Sequence, residues 1–444
     1  LPKEFAVERT LMQDLIAWKD APHRKPLLLR GARQTGKTWL MKEFGRRYFE
    51  DVVRVDLMQN ERARSFFDGD LDPRRIVRSI EIETGRRVDP ASTLLVIDEI
   101  QEAPRALTAL KYFCEDAREY HVVAAGSYMG IAMRHQETSF PVGKVDLLTL
   151  RPLTFCEFLG ALGEGLLAET VASGDLGALE GAFSQKLTGY LREYFVVGGM
   201  PEVVAAYAES HDVRQARSLQ RTIISAYDGD FGKHAPTRML ERMRLVWAAL
   251  PSQLAKENRR FVYGALRSGA RARDFEESIQ WLCDYGVVFK VPRVSALRHP
   301  AMSYADDSAF KLFAVDLGLL GALAGLRPEV VLEGSAVFTE FKGALTEQYV
   351  AQELLAAGLT PVYWSADNGT AEVDFAVDTD RSVLPVEVKA AENLKAKSLR
   401  VACDRFGLER AVRTSLSGYR DEGRLVNVPL WAVGTLPALE GIGA

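Results

Sequence analysis

Eight consecutive residues carry the most specific chemistry in this chain of 444. Gly31-Ala32-Arg33-Gln34-Thr35-Gly36-Lys37-Thr38 fits GxxxxGK[ST]. Its two glycines let the backbone curl, so that successive N–H groups point at phosphate oxygens. A helix opening at Lys37 would add partial positive charge. Lys37 can reach the terminal phosphates of a nucleotide, and Thr38 offers a hydroxyl to Mg²⁺. The motif requires a strand before it and a helix after it. Pro26-Leu27-Leu28-Leu29-Arg30 and residues 39–48 supply those two patterns.

A phosphate loop needs an acidic partner on a nearby strand. Leu94-Leu95-Val96-Ile97-Asp98-Glu99 supplies one. The apolar run places Asp98 at the end of a buried strand, where it can hold the water shell of Mg²⁺. Glu99 can then polarise an attacking water, which hydrolysis requires and binding alone does not. The next strand candidate ends at Gly126-Ser127, and Ser127 is a candidate γ-phosphate sensor. Arg134, Lys144 and Arg151 are the candidates for an arginine-finger role. Such a group acts best from a neighbouring subunit, so its identity bears on whether the chain forms a homo-oligomer.

A second constellation lies near the C-terminus. Residues 372–377 and 383–389 read as two strands around the turn-like Asp378-Thr379-Asp380-Arg381. A symmetric turn sets Asp374 opposite Glu387. Opposed Cβ atoms are ~4.5–5.5 Å apart, so both carboxylates could share one Mg²⁺. Side chains alternate along a strand, which puts Glu387 and Lys389 on one face. Exposed strands also alternate charge for solubility alone, so this spacing by itself is a weak signal.

The elements that must position these groups alternate short apolar runs with helical patterns over residues 1 to about 150. Strand candidates cover residues 26–30, 52–57, 93–97 and 121–125. Continuous apolar strands separated by helices indicate a parallel sheet covered on both faces. Residues 155–230 are rich in Leu, Ala and Gly and read as helical. Within residues 236–330, a helix or turn over 259–270 and a helix over 273–282 precede a strand, a loop and a second strand, which is a winged-helix order. Phe275, Ile279 and Leu282 share a face of the second helix. Lys256, Arg259, Arg260, Arg267, Arg271 and Arg273 crowd the same stretch.

The net charge is −4, which excludes a wholly basic nucleic-acid binder. It averages unlike parts. Residues 251–300 hold nine Lys+Arg against five Asp+Glu, and residues 301–400 hold eight against fifteen. Basic side chains in the first could contact DNA phosphates. Cys114, Cys156, Cys283 and Cys403 are widely spaced, which argues against a disulfide scaffold or a zinc site and suits a reducing, cytoplasmic compartment. No run approaches the ~20 apolar residues of a membrane helix.

With these motifs in view, the chain resembles a group of bacterial and archaeal AAA-type ATPases whose C-terminal half is a domain of unknown function. The markers are residues 29–38, Ile97-Asp98-Glu99-Ile100-Gln101, Gly126-Ser127, residues 150–158, Gly198-Gly199-Met200-Pro201-Glu202, Asp228-Gly229-Asp230-Phe231, Glu372-Val373-Asp374-Phe375 and Val386-Glu387-Val388-Lys389. Many relatives carry Gly-Arg where this chain has Gly143-Lys144. Lys cannot form the bidentate fork of Arg, which weakens a finger role for Lys144. The resemblance implies ATP and Mg²⁺ as cofactors and a C-terminal fold like the restriction endonucleases. In that superfamily's D…ExK pattern, Asp374 and Glu387 would hold metal and Lys389 would orient water. Glu347 matches an additional acidic position.

The expected fold class is α/β. Residues 1–155 form a P-loop, AAA-type core, and 156–235 a helical lid or connector. Residues 236–330 form a winged-helix module, and 331–444 a restriction-endonuclease-like domain. The expected partners are ATP and DNA, with no membrane.

Overall fold

A computed structural model describes residues 8–127, 140–256, 259–333, 336–366, 371–380, 382–390 and 397–439. Arg134 and Arg381 lie outside them. The described chain divides into two compact units, residues 8–151 with 280–287, and residues 152–279 with 288–439.

The first unit is built on a five-stranded parallel sheet in the order β2-β3-β4-β1-β5. The strands are β1 (Leu27–Arg30), β2 (Asp51–Asp56), β3 (Thr93–Asp98), β4 (His121–Gly126) and β5 (Asp146–Thr149). Alternate residues of the apolar runs serve opposite cores. Leu28, Leu95, Ile97 and Val122 meet Ile76, Ile80 and Phe113 on one face. Leu27, Leu29, Leu94 and Val96 meet Leu15, Leu40 and Phe44 on the other. This two-sided burial explains the unbroken hydrophobic runs. It also leaves the loops at the C-terminal ends of β1 and β3 as the place for polar chemistry.

The second unit begins with helices, including Phe155–Ala161, Ala182–Val197, Val213–His234 and Thr237–Leu254. Thr154 and Glu157 form a capping box at the first of these, which fixes its start. An eight-stranded mixed sheet follows in the order β12-β13-β11-β10-β9-β8-β6-β7. Its strands are β6 (Val288–Val294), β7 (Ala305–Ala314), β8 (Val362–Ser365), β9 (Glu372–Asp378), β10 (Val383–Val388), β11 (Ala411–Ser415), β12 (Arg420–Asp421) and β13 (Leu425–Pro429).

This topology corrects the expectation of a self-contained winged helix. The anticipated helix forms at Ala272–Tyr285, with Phe275, Ile279 and Leu282 buried. The two strands after it do not close a small separate sheet. Instead β6 pairs in parallel with β8 at Arg293↔Tyr363 and Val294↔Trp364, joining the C-terminal sheet. The local pattern of helix, strand, loop and strand is the same in both cases. Only a long-range strand pairing separates them.

Gly198-Gly199 does more than turn the chain. Gly198 has φ +71°, and a Cβ there would lie 2.5 Å from Asp316 Oδ1. A Cβ on Gly199 would lie 2.1 Å from the Leu153 carbonyl oxygen. The bare backbone lets Asp316 accept hydrogen bonds from the N–H groups of Gly199 at 2.6 Å and Leu319 at 2.9 Å. Asp316 thereby caps the helix Leu317–Leu323 while clamping the glycine pair.

The helix Ala336–Ala356 buries polar groups as well as apolar ones. Gln348 exchanges two hydrogen bonds with the Ala314 backbone, at 2.9 and 2.7 Å. Glu353 accepts from the Phe155 N–H at 3.0 Å, and burial pushes its carboxyl up to about 8. Between the ordinary carboxyl value and that one, the folded state holds a proton that the unfolded chain has lost. Stability therefore falls as pH rises through this window, by up to about 1.4 kcal/mol per pH unit. Glu353→Gln is expected to flatten that slope. Urea unfolding at pH 6 and pH 8 tests it, and equal pH dependence in both proteins would contradict the assignment.

Candidate functional site

The phosphate loop joins β1 to the helix Lys37–Tyr48. Gly36 is left-handed at φ +91°, and Gln34 at φ +67° turns the loop just before it. At Gly31 a Cβ would lie 2.3 Å from the Leu150 carbonyl oxygen, so only glycine fits. Thr35 Oγ1 donates to the Ala32 carbonyl at 2.9 Å. Arg9 braces the loop from outside, donating to the carbonyls of Thr35 at 3.1 Å and Arg151 at 2.6 Å.

Lys37 lies along this loop. Its Nζ donates to the carbonyls of Gly31 at 2.9 Å and Ala32 at 2.8 Å. Burial pulls its ammonium down to about 8, against the attraction of Glu99 and Asp98. A cation held among carbonyls and partly stripped of water gains strongly from an anionic phosphate. Thr38 Oγ1 donates to Asp98 Oδ2 at 2.9 Å. The structure thus brings Lys37 and Thr38, at the start of one helix, together with Asp98 at the end of β3. A hydroxyl and a carboxylate are oxygen donors of the kind Mg²⁺ takes, so this pair fits a hard cation.

Glu99 follows Asp98 in the left-handed conformation at φ +52°. That turn carries it out of line with β3. Burial raises its carboxyl above the ordinary range. Gln101 Nε2 donates to Glu99 Oε2 at 2.6 Å and holds it in place. Ser127 is buried directly after β4.

Arg54 is the residue that motif reasoning misses. Its Nε and Nη2 donate to Asp98 Oδ2 at 3.0 and 2.7 Å, and Nη2 also reaches Asp56 at 2.7 Å. A charged residue inside the apolar alternation Val53-Arg54-Val55 was the available signal. Of the finger candidates, Lys144 pairs with Glu115 at 2.8 Å, and Arg151 is partly buried beside Arg30. Arg105 bonds the carbonyls of Asp68 and Gly69.

The second constellation lies on β9 and β10. Their register pairs Asp378 with Val383 and Phe375 with Val386, and its continuation sets Asp374 across from Glu387. Asp374 Oδ2 accepts from the Val388 N–H at 2.8 Å. Lys389 Nζ donates to Glu387 Oε1 at 2.6 Å, while Glu387 Oε2 is buried without a hydrogen-bond partner. Burial, reinforced by the charge on Asp374, raises the Glu387 carboxyl.

Glu347 does not stand free as a further ligand. It is ion-paired to Arg259 and to Lys311, the latter at 3.4 Å. Lys311 is fully buried on β7 and also pairs with Glu372 at 2.8 Å. Its ammonium lies 4.9 Å from the centre of the Tyr363 ring. Arg259, read in sequence as a phosphate contact, is turned inward by this pairing, whereas Arg267, Arg271 and Arg273 are exposed. Among the described residues, no three His, Cys, Asp or Glu side chains are grouped to hold a metal ion.

Residues 23–159 match the model of an AAA domain. This part of the chain is therefore similar to an AAA-type P-loop domain. Two further models, both domains of unknown function, match residues 188–330 (DUF8612) and 342–432 (DUF4143). No curated protein matches the chain in sequence.

Among solved structures, a Walker-type ATPase of Pyrococcus abyssi is similar at 12% identity and a TM-score of 0.46, over 72% of this chain and 96% of that one. The Thermotoga maritima RuvB Holliday junction branch migration motor gives 14% and 0.31, over 64% and 90%. The Aeropyrum pernix ORC1 protein in complex with DNA gives 15% and 0.28, over 73% and 95%. At such scores the similarity to an AAA domain rests on the domain match and on the loop geometry above. Among the described residues, no helix is long and apolar enough to cross a membrane.

Proposed function

We propose that this chain is a Mg²⁺-dependent ATPase that couples ATP binding and hydrolysis to the binding or processing of nucleic acid, DNA in the first instance, through its C-terminal domain. The observation that carries the ATPase reading is the convergence of Lys37, Thr38 and Asp98, with Glu99 next to them. The loop amides and Lys37 would hold the phosphates. Thr38 and Asp98 would hold Mg²⁺, which neutralises charge on the transferring phosphoryl group. Glu99 would take the proton of the attacking water. Ser127 stands as the candidate sensor of the terminal phosphate.

The C-terminal reading rests on Asp374, Glu387 and Lys389, with the unpartnered Glu387 Oε2 as the atom best fitted to a cation. A second reading is favoured by Lys311. Its ammonium already neutralises Glu347 and Glu372, as a resident cation would. On that reading the C-terminal fold is an inactive platform, and the chain is a nucleotide-dependent protein-interaction switch.

Incubation with single- and double-stranded DNA and with RNA, with Mg²⁺ or Mn²⁺ and with or without ATP, separates the two. Cleavage that disappears in Asp374→Asn supports the first. Intact ATP hydrolysis without binding or cleavage of any nucleic acid supports the switch.

A further inference from the structure

Arg54 and Asp56 share a face of β2, and the parallel register sets Asp56 beside Asp98 on β3. The Arg54 guanidinium lies between the two carboxylates. Its Nε and Nη2 donate to Asp98 Oδ2 at 3.0 and 2.7 Å, and Nη2 also donates to Asp56 Oδ2 at 2.7 Å. Asp98 Oδ2 is the same oxygen that accepts from Thr38 Oγ1 at 2.9 Å. It therefore takes three hydrogen bonds, two of them from one arginine. A carboxylate oxygen offers about two lone-pair sites, so little of this one is left for the water shell of a cation. Arg54 also brings a full positive charge to it. In a partly buried setting that charge repels a second cation more strongly than it would in water.

Arg54 has a second place to rest. Asp56 Oδ1 accepts from the N–H groups of Met58 and Gln59 at 3.0 and 3.1 Å, which fixes the carboxylate and turns Oδ2 to Arg54. Arg54 also borders an open polar cavity of about 650 Å³, whose wall includes Asp56, Glu61 and Glu83. Turning toward these acids would release Asp98 without stranding the arginine charge. We infer that Arg54 is a latch on the metal-binding carboxylate: it holds Asp98 against Mg²⁺, with Asp56 as its second holding point, and so sets the Mg²⁺ concentration at which nucleotide binds tightly. The inference deepens the ATPase reading and rests on it. Arg54 acts through Asp98 and is a positioning residue.

The test is equilibrium binding of adenylyl imidodiphosphate, an ATP analogue that resists hydrolysis, to the full chain over a series of free Mg²⁺ concentrations. The quantity read is the Mg²⁺ concentration at which the gain in affinity is half complete. Arg54→Met should lower it by roughly fivefold. Asp56→Asn removes the second holding point and leaves Arg54 on Asp98, so it should raise the midpoint by roughly twofold or more. In the double variant the effect of Asp56→Asn should largely disappear, because no arginine is left to redistribute. A merely structural role would not give shifts of opposite sign, since damage to the fold weakens binding at every Mg²⁺ concentration. A midpoint unchanged or raised in Arg54→Met, or lowered in Asp56→Asn, would overturn the latch and leave the ATPase reading standing, provided the wild type binds the analogue in a Mg²⁺-dependent way. A wild type that does not bind it, or binds it equally in excess chelator, would overturn both.

Discussion

Glu99→Gln is expected to bind ATP within a factor of about three of the wild type and to hydrolyse it at least about 10²-fold more slowly. The substitution keeps the size and planarity of the side chain and removes only its capacity to accept a proton. Three features single out Glu99 for that role. Its left-handed backbone turns it away from the line of β3, immediately after Asp98. Burial raises its carboxyl, which strengthens it as a base. Gln101 fixes one of its oxygens at 2.6 Å. Phosphate binding does not need a base, so affinity and turnover should separate. Single-turnover hydrolysis together with equilibrium nucleotide binding measures both. Normal turnover in Glu99→Gln would remove it from the chemistry.

Lys311→Met is expected to destabilise the protein by about 3–5 kcal/mol. Lys311 is fully buried, and its ammonium is the shared partner of Glu347 and Glu372. Removing it strands carboxylates in a low-dielectric setting, with Asp374 adding its charge to theirs. The cost comes mainly from the charge left unpaired rather than from any intrinsic gain of the ion pair. A second substitution, Glu347→Gln, should therefore restore much of the loss. Arg259 would then lose its own partner, which limits the recovery. Urea unfolding of both variants tests this. Wild-type stability in Lys311→Met alone would show that the cluster does not depend on its buried cation.

The two constellations were legible in the sequence to different degrees, for a physical reason. A phosphate loop is local chemistry. Gly31 to Thr38 are contiguous, and strand β3 announces Asp98 and Glu99 by its own apolar run. The β9–β10 register followed from a short turn, because a hairpin fixes its partners by counting. Strand β5 was missed, because Asp146-Leu147-Leu148-Thr149 is a short strand whose Leu147 is exposed. The placement of β6 was missed because pairing with β8 spans about seventy residues and no local pattern encodes it. Arg54 and Lys311 belong to the same class. Each is a cation between apolar neighbours in a strand, which is a visible anomaly, but Asp98, Glu347 and Glu372, which they meet, lie elsewhere in the chain. Such a residue can be flagged from sequence, whereas its partner comes only from the fold.

This contrast bears on function. In the P-loop unit the sequence motif and the geometry agree on the same groups. In the C-terminal unit the D…ExK motif is present, but a lysine from β7 and an arginine from the basic segment have entered its acidic surroundings. On the second reading proposed above those two cations stand where a metal ion would, and no motif contains them.

Steady-state phosphate release from ATP by the wild type and by Lys37→Ala, with Mg²⁺ and with excess chelator, tests the central claim most directly. Hydrolysis that needs both Mg²⁺ and Lys37 is the predicted result. Hydrolysis that persists in Lys37→Ala, or a wild type that neither binds nor hydrolyses ATP, would contradict it.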